Sequence, residues 1–502
     1  MDAPLADELV RIARGEILHD NWSRKIYSVD ASHYTITPTA ITCPVDEYDV
    51  EKICHYAFSK DIPVAARGAG TGLLGQSLSS SILIDFTRHM NKIIEIGTDY
   101  VIVQPGIVKG ILDKELKKKG KFLPPDPASS NYCTIGGMIA NNSSGAHCLG
   151  YGNTIEFLQE IYVVYSDGSS GFLSTITDSN KIEDHNNKMP ALLKLLSSHS
   201  EVIQKQYPNV TKNSCGYRLD AVLNSQGFYP QKLFAASEGT LGIITSAKVK
   251  ILDIPLYRYL MVLGFEDVLS ATFNVPLILR FLPVALEMLD HTLFDHGQTT
   301  KQVSDNIGCL LFVEFVGNSV SKLERKAKEC RDSLSYKCKV LEAANDEKSI
   351  LQIWKARKSA LNDVLKLTVG SRRPIGLIED TVVTPNLLYH YTQYLLQMYN
   401  ENKLDYVMYG HVGNGNLHTR PLINMDSRSE IELMERLAYK TFKRVVNSGG
   451  TITGEHGDGL ARVKFIKLVY GDHIFSLFVQ IKKLFDPKFI MNPGKKIVLN
   501  NY

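Results

Sequence analysis

Four glycines fall within eight positions at Gly68-Ala69-Gly70-Thr71-Gly72-Leu73-Leu74-Gly75, between two short apolar stretches. Pro63-Val64-Ala65-Ala66 before this loop reads as strand. Ile82-Leu83-Ile84-Asp85 resumes as strand after Gln76-Ser77-Leu78-Ser79-Ser80-Ser81, a poor helix former. Gly70 to Gly75 matches the letters of the dinucleotide-binding fingerprint, but that fingerprint needs a helix to open at the glycines. A strand–loop–strand is not a βαβ unit, so a nicotinamide cofactor is set aside. What remains is a nest of uncovered backbone amides, which favours phosphate oxygens.

Two further segments share this texture. Thr134-Ile135-Gly136-Gly137-Met138-Ile139-Ala140-Asn141-Asn142-Ser143-Ser144-Gly145 follows a rigid proline-rich run, Leu123-Pro124-Pro125-Asp126-Pro127-Ala128-Ser129. Ser237-Glu238-Gly239-Thr240-Leu241-Gly242-Ile243-Ile244 runs into a strand over 247–252. Taken alone, the 134–145 segment also reads as tight packing of a helix on a sheet. Together, on short strands, the three suggest one extended ligand.

The helical spacing predicts helices over 5–18, 49–58 and from 107 to about 120. After Ile254-Pro255 the pattern becomes β-α-β-β-α-β, with strands at 259–265, 285–289, 310–315 and 339–342 and helices at 268–281 and 320–333. We therefore expect an α+β chain divided at residue 254.

The second unit carries Tyr409-Gly410-His411-Val412-Gly413-Asn414-Gly415-Asn416-Leu417-His418. Gly413 and Gly415 oppose a helix and favour a hairpin tip, which brings His411 and His418 to one side of space. Two imidazoles so held make half of a divalent-metal site. Gly454-Glu455-His456-Gly457-Asp458-Gly459 offers a carboxylate and a third imidazole in a second glycine loop.

A formal net charge of +3 implies no basic surface for nucleic acid. No apolar run reaches the roughly 18 residues of a membrane span; the nearest, 277–289, contains Arg280 and Glu287. Acidic Asp2, Asp7 and Glu8 fit neither a secretory signal nor a transit peptide. The eight cysteines include no Cys-x-x-Cys pair, which argues against iron–sulfur ligation within the chain and for reduced thiols in the cytoplasm. Peripheral attachment to a membrane is left open.

In chain order, Arg67 to Gln76, Pro125 to Ser129, Thr134 to Gly145, Glu238 to Ile244, His411 to His418, Gly454 to Gly459 and Asn492-Pro493-Gly494-Lys495 resemble the flavoproteins of vanillyl-alcohol-oxidase (PCMH) type. They resemble most its FAD-linked D-2-hydroxyacid dehydrogenases: the glycolate oxidase flavin subunit, D-lactate dehydrogenase and D-2-hydroxyglutarate dehydrogenase. The resemblance implies an α+β fold with a PCMH-type FAD-binding domain over 1–254. An α+β ferredoxin-like cap covers 255–459, and 460–502 returns to complete the FAD domain. It assigns Arg67, Gly68, Ala69, Gly70, Thr71, Gly72, Gly75 and Gln76 to the FAD pyrophosphate. Pro125, Asp126, Ser129, Thr134, Gly136, Gly137, Asn141, Ser144 and Gly145 fall to the isoalloxazine and ribityl chain. Glu238, Gly239, Gly242, Ile243 and Ile244 fall to the adenine side, with Asn492 from the tail. No histidine lies in 67–76, where some relatives tether the flavin, so non-covalent FAD is expected.

The resemblance further implies that His411, His418 and Glu455 hold a divalent metal (Zn, Mn or Fe) and that His456 is the base. A metal chelated by the carboxylate and hydroxyl of a small 2-hydroxy acid lowers the hydroxyl pKa and fixes Cα–H over flavin N5. An imidazole, with an intrinsic pKa near neutrality, then takes the proton as hydride leaves and a 2-oxo acid forms. Arg357, three residues after Trp354, resembles the carboxylate-binding arginine, with Arg372, Arg373 and Arg420 as further candidates. Asn414 stands where many relatives have aspartate. Ile378 stands where the hydroxyglutarate enzyme has lysine, which points towards lactate, glycolate or a larger hydroxy acid. Electrons would pass to a separate iron–sulfur or quinone-linked subunit, and a homodimer is expected. The competing readings are an oxidase or an alkylglycerone-phosphate-synthase-like enzyme, a non-catalytic flavin subunit, and a flavin-free metallohydrolase.

Overall fold

A computed structural model describes residues 3–177, 187–293, 306–336, 338–364 and 367–498. Three sheets order the chain. The first has four strands in the order Glu16–Leu18, Ala40–Cys43, Ile82–Asp85, Val64–Arg67. Ile82–Asp85 lies between two parallel neighbours and is buried along its whole length, which explains its unbroken Ile-Leu-Ile run. Val64–Arg67 and Ile82–Asp85 are adjacent and parallel, yet a loop and no helix joins them, as the glycine pattern predicts. The second sheet is antiparallel, ordered Ile93–Ile96, Tyr100–Val103, Ile243–Lys250, Leu158–Val164, Ser170–Ser174.

The third sheet holds eight strands. Lys339–Ala344, Tyr257–Phe265, Cys309–Gly317 and Ala285–Asp290 lie side by side, with helices Val268–Leu279 and Val320–Asp332 packed on them. This is the β-α-β-β-α-β unit read from the sequence. The sheet then continues beyond it. Met288 and Leu289 pair with Gly410 and Tyr409, which adds the hairpin Tyr406–His411 and Asn416–Ile423. Thr381–Val382 pairs with the hairpin's second arm at Leu417 and Asn416. The hairpin is thereby held between an apolar strand and the segment carrying Glu379 and Asp380. Together the three sheets form the α+β architecture expected of PCMH-type flavoproteins.

The predicted helices at 49–58 and from 107 correspond to Glu47–Ser59 and Lys109–Lys117. The helix expected over 5–18 is shorter: Ala3–Ile12 is helical and Glu16–Leu18 is an edge strand paired with Ala40–Cys43. Asp49 draws the chain off the helical path by accepting from the backbone N–H of Arg14 and Gly15, both at 3.0 Å.

One large apolar core joins the second and third sheets to the C-terminal helix Ile466–Phe485, and a smaller one lies under the first sheet. Past that helix the chain returns to the first sheet: Met491 sits beside Val64, and Asn492 N–H donates to Val64 C=O at 2.7 Å. All eight cysteines are free, and no described helix is long and apolar enough to cross a membrane.

Candidate active site

A cavity of about 900 Å³ runs between the first two sheets and the third. The loop at 67–76, the segments at 126–147 and 237–244, helix Glu347–Val364 and the histidine hairpin all contribute walls. The loop at 67–76 packs so closely on its neighbours that its glycines admit no side chain. At Gly70 φ is +68°, and an added Cβ would lie 2.6 Å from the Arg67 guanidinium. Thr134 caps helix Ile135–Asn141 by accepting from Gly137 N–H at 3.4 Å, so the helix begins at the cavity wall.

At one end of this cavity three imidazoles converge. The hairpin places Tyr409 opposite His418 and His411 opposite Asn416, so His411 and His418 share a face and their rings lie 5.2 Å apart. Gly415 closes the turn at φ +69°, where a Cβ would meet Val383 C=O at 1.8 Å. The His418 and His456 rings stack at 4.9 Å. Each Nδ1 meets a buried carboxylate: His411 with Glu287 at 2.7 Å, His418 with Glu379 at 2.9 Å, and His456 with Glu379 at 2.7 Å. Each Nε2 then faces Glu455 Oε1, at 2.9, 3.5 and 3.8 Å for His411, His418 and His456. The other oxygen of Glu455 accepts from Ser144 Oγ at 2.6 Å and Lys212 Nζ at 2.9 Å.

Electrostatics keep the acids ionised. Burial would raise Glu379, but His456, His418 and Arg420 outweigh it and hold it well below the ordinary value. Burial acts likewise on Glu455, where Lys212 and His411 prevail. Burial lowers His411 and His418, and their carboxylate partners lift both above the usual imidazole value. In the neutral ring a carboxylate behind Nδ1 takes that N–H, so Nε2 is the nitrogen that would be left to ligate a cation. Ligand atoms of Asp380, His418, Glu455 and His456 lie within 4.8 Å of one another. Asp380 Oδ2 is already engaged by backbone N–H of Gly454, Glu455 and His456 at 3.0, 3.1 and 2.9 Å, so it shapes the loop.

The predicted cofactor residues divide into two groups. Arg67, Gly68, Ala69, Gly70, Thr71, Gly72, Gln76, Asp126, Ser129, Thr134, Gly136, Gly137, Asn141, Ser144, Gly145, Glu238, Gly239, Gly242 and Ile244 line the cavity; Gly75, Pro125, Ile243 and Asn492 do not. Several side chains expected to face the cofactor are spent on the protein. The Arg67 guanidinium donates to Val29 C=O at 2.7 Å and Tyr27 C=O at 3.3 Å. Gln76 donates to His456 C=O. Glu238 accepts from Asp458 N–H at 2.7 Å and pairs with Lys496 at 3.2 Å. Asn492 donates to Gln76 C=O and Glu238 C=O at 3.0 and 2.7 Å. These contacts tie the cradle to the loop of His456.

Arg357 and Arg420 are buried at the cavity wall, and the Nε of each has no hydrogen-bond partner among the described residues. Arg357 also donates to Glu287. Arg372 is outside the cavity: it forms an exposed fork with Glu430 at 2.8 Å, because its strand segment pairs at the far end of the hairpin. Glu287, Glu379 and Lys212 were not singled out from the sequence as site residues. The signal available was a charged residue inside a fully buried strand, as at Glu287 within Ala285–Asp290.

Residues 38–170 match the family described as FAD binding domain, and 254–496 match FAD linked oxidases, C-terminal domain. The chain is 28% identical to D-2-hydroxyglutarate dehydrogenase of Haemophilus influenzae, over 96% of this chain and 50% of that protein. It spans about half the length of the hydroxyglutarate dehydrogenases it matches. It is 27% identical to glycolate oxidase subunit GlcD of Bacillus subtilis, over 97% of this chain and 96% of that protein. Among solved structures, 4-ethylphenol oxidase from Gulosibacter chungangensis superposes with a TM-score of 0.71 at 14% identity, covering 98% of this chain and 96% of that one. By its two matched domains, its fold and the relatives that align along its length, the chain belongs to the family of FAD-linked oxidases.

Proposed function

We propose that the protein is an FAD-dependent, divalent-metal-assisted dehydrogenase of a D-2-hydroxy acid. The observation that carries this reading is the convergence of three imidazole Nε2 atoms on Glu455 Oε1, beside two incompletely partnered arginines in the flavin-family cavity. We take 1–254 as the FAD-binding unit, 255–459 as the cap and 460–502 as the segment that completes the first unit.

His411, His418 and Glu455 would hold the metal, whose contribution is to acidify the substrate hydroxyl. Non-covalent FAD would supply the hydride acceptor. Arg357 and Arg420 provide fixed positive charge for the substrate carboxylate. His456 faces the same space with Nε2, and Glu379 holds its ring from behind, which suits it to accept the hydroxyl proton. Ile378, buried in the core, offers no cation, which favours lactate, glycolate or a larger hydroxy acid over hydroxyglutarate. The similarity to GlcD supports a separate electron-accepting subunit, iron–sulfur or quinone-linked. A cytoplasmic or membrane-peripheral homodimer completes the reading.

The test is anaerobic bleaching of the yellow holoprotein with D-lactate, glycolate and D-2-hydroxyglutarate. At least one acid should reduce the flavin, and a chelator should abolish the response. His456→Ala should slow reduction by about 10²–10⁴-fold. Flavin that stays oxidised with every acid would favour a non-catalytic flavin subunit instead.

A further inference from the structure

Lys212 has no place in the roles assigned above, yet its side chain has no solvent exposure and its ammonium lies 2.9 Å from Glu455 Oε2. Ser144 Oγ donates to the same oxygen at 2.6 Å. Both come from segments of the flavin-binding half, whereas Glu455 belongs to the loop after the long helix Arg428–Asn447. One Glu455 oxygen is therefore fully engaged, and only Oε1 faces the imidazoles.

The charges behind the ligands oppose one another. Glu287 and Glu379 stand behind imidazoles, where a carboxylate makes the ring a better donor. Lys212 stands behind a carboxylate, where a cation does the reverse: it draws charge from Glu455 and repels a second cation. A site built only for tight metal retention has no use for a buried ammonium there. A site that must leave coordination positions for two substrate oxygens does, because a carboxylate limited to one oxygen occupies one position instead of two.

We propose that Lys212 is a positioning residue that keeps Glu455 a weak, single-oxygen ligand, giving up metal affinity to keep the site open to the hydroxy acid. Ser144 supports it by occupying the same oxygen. The inference rests on the metal-assisted reading and deepens it.

Its test measures metal and substrate separately. Metal dissociation constants come from competition with a chromogenic chelator, using Zn²⁺ and Mn²⁺ on the FAD-loaded protein. Binding of oxalate, a redox-inert dianion, comes from its perturbation of the flavin spectrum in metal-loaded protein, and KM from the best acid in the bleaching panel. In Lys212→Met the metal should bind more tightly by about 10-fold, while oxalate binding and KM should each worsen by a similar factor. Lys212→Arg, which restores the cation, should return both towards wild type. Ser144→Ala, a milder change, should move both in the same opposite directions and keeps the question answerable if Lys212→Met does not fold. Metal affinity that falls together with substrate binding would make Lys212 a mere structural prop and overturn the inference, as would no change in either. Wild-type protein that binds neither metal removes the metal-assisted reading itself, and the inference with it.

Discussion

Glu314 shows how a single residue can join the two halves of this molecule. It lies on strand Cys309–Gly317 and accepts from Arg258 at 2.7 and 2.9 Å and from Trp354 Nε1 at 2.6 Å. Across the cavity wall it meets His147 Nε2 at 3.4 Å, whose Nδ1 contacts Asp126 at 2.7 Å. Burial disfavours the imidazolium, but Asp126 and Glu314 outweigh it and lift His147 from 6.5 to about 10. Burial likewise opposes the Glu314 carboxylate, and His147 and Arg258 bring it from 4.5 down to about 2. The stability contributed by His147 is therefore whole below pH 6.5 and is lost as pH rises through about 10. That contributed by Glu314 is whole above pH 4.5 and is lost as pH falls through about 2. The bridge is at full strength between pH 4.5 and 6.5. The melting temperature should fall between pH 6.5 and 10, and His147→Gln should flatten that decline in a thermal melt.

At the scale of elements, the histidine hairpin is the piece on which the site depends. Gly415→Ala would combine a left-handed φ with a Cβ 1.8 Å from Val383 C=O. The backbone alone costs about 1–3 kcal/mol, and relieving the overlap must spread the turn. Urea denaturation should show a loss at the upper end of that range or beyond, with weakened metal binding in whatever folds. This hairpin was legible because glycines bracketed by strand formers leave few options. Its partners were not. Glu379 reaches His418 and His456 because Thr381–Val382 pairs with Leu417 and Asn416, a register that local spacing does not encode. Glu287 appears in the sequence as a charge interrupting an apolar run. Only the pairing of Ala285–Asp290 with the hairpin shows that it points at His411. The early helix failed for a related reason: Asp49, distant in sequence, captures the backbone at Arg14 and Gly15.

For the whole molecule, cofactor binding is a property of the tied loops more than of any one wall. Asn492 lies off the cavity but holds the carbonyls of both Gln76 and Glu238. Removing its amide leaves two buried acceptors short of a partner, at about 1–3 kcal/mol each. Asn492→Ala should weaken FAD on the order of 10-fold or more by fluorescence titration of the released flavin, although Asn492 itself does not line the cavity. The glycine loops themselves were readable from composition; this tie was not, because it joins segments hundreds of residues apart. Met491 completes the first sheet beside Val64, so the chain must be synthesised almost to that point before the sheet can close. Flavin uptake should then wait until the segment carrying Met491 has left the ribosome, and a nascent chain halted before that segment should stay colourless.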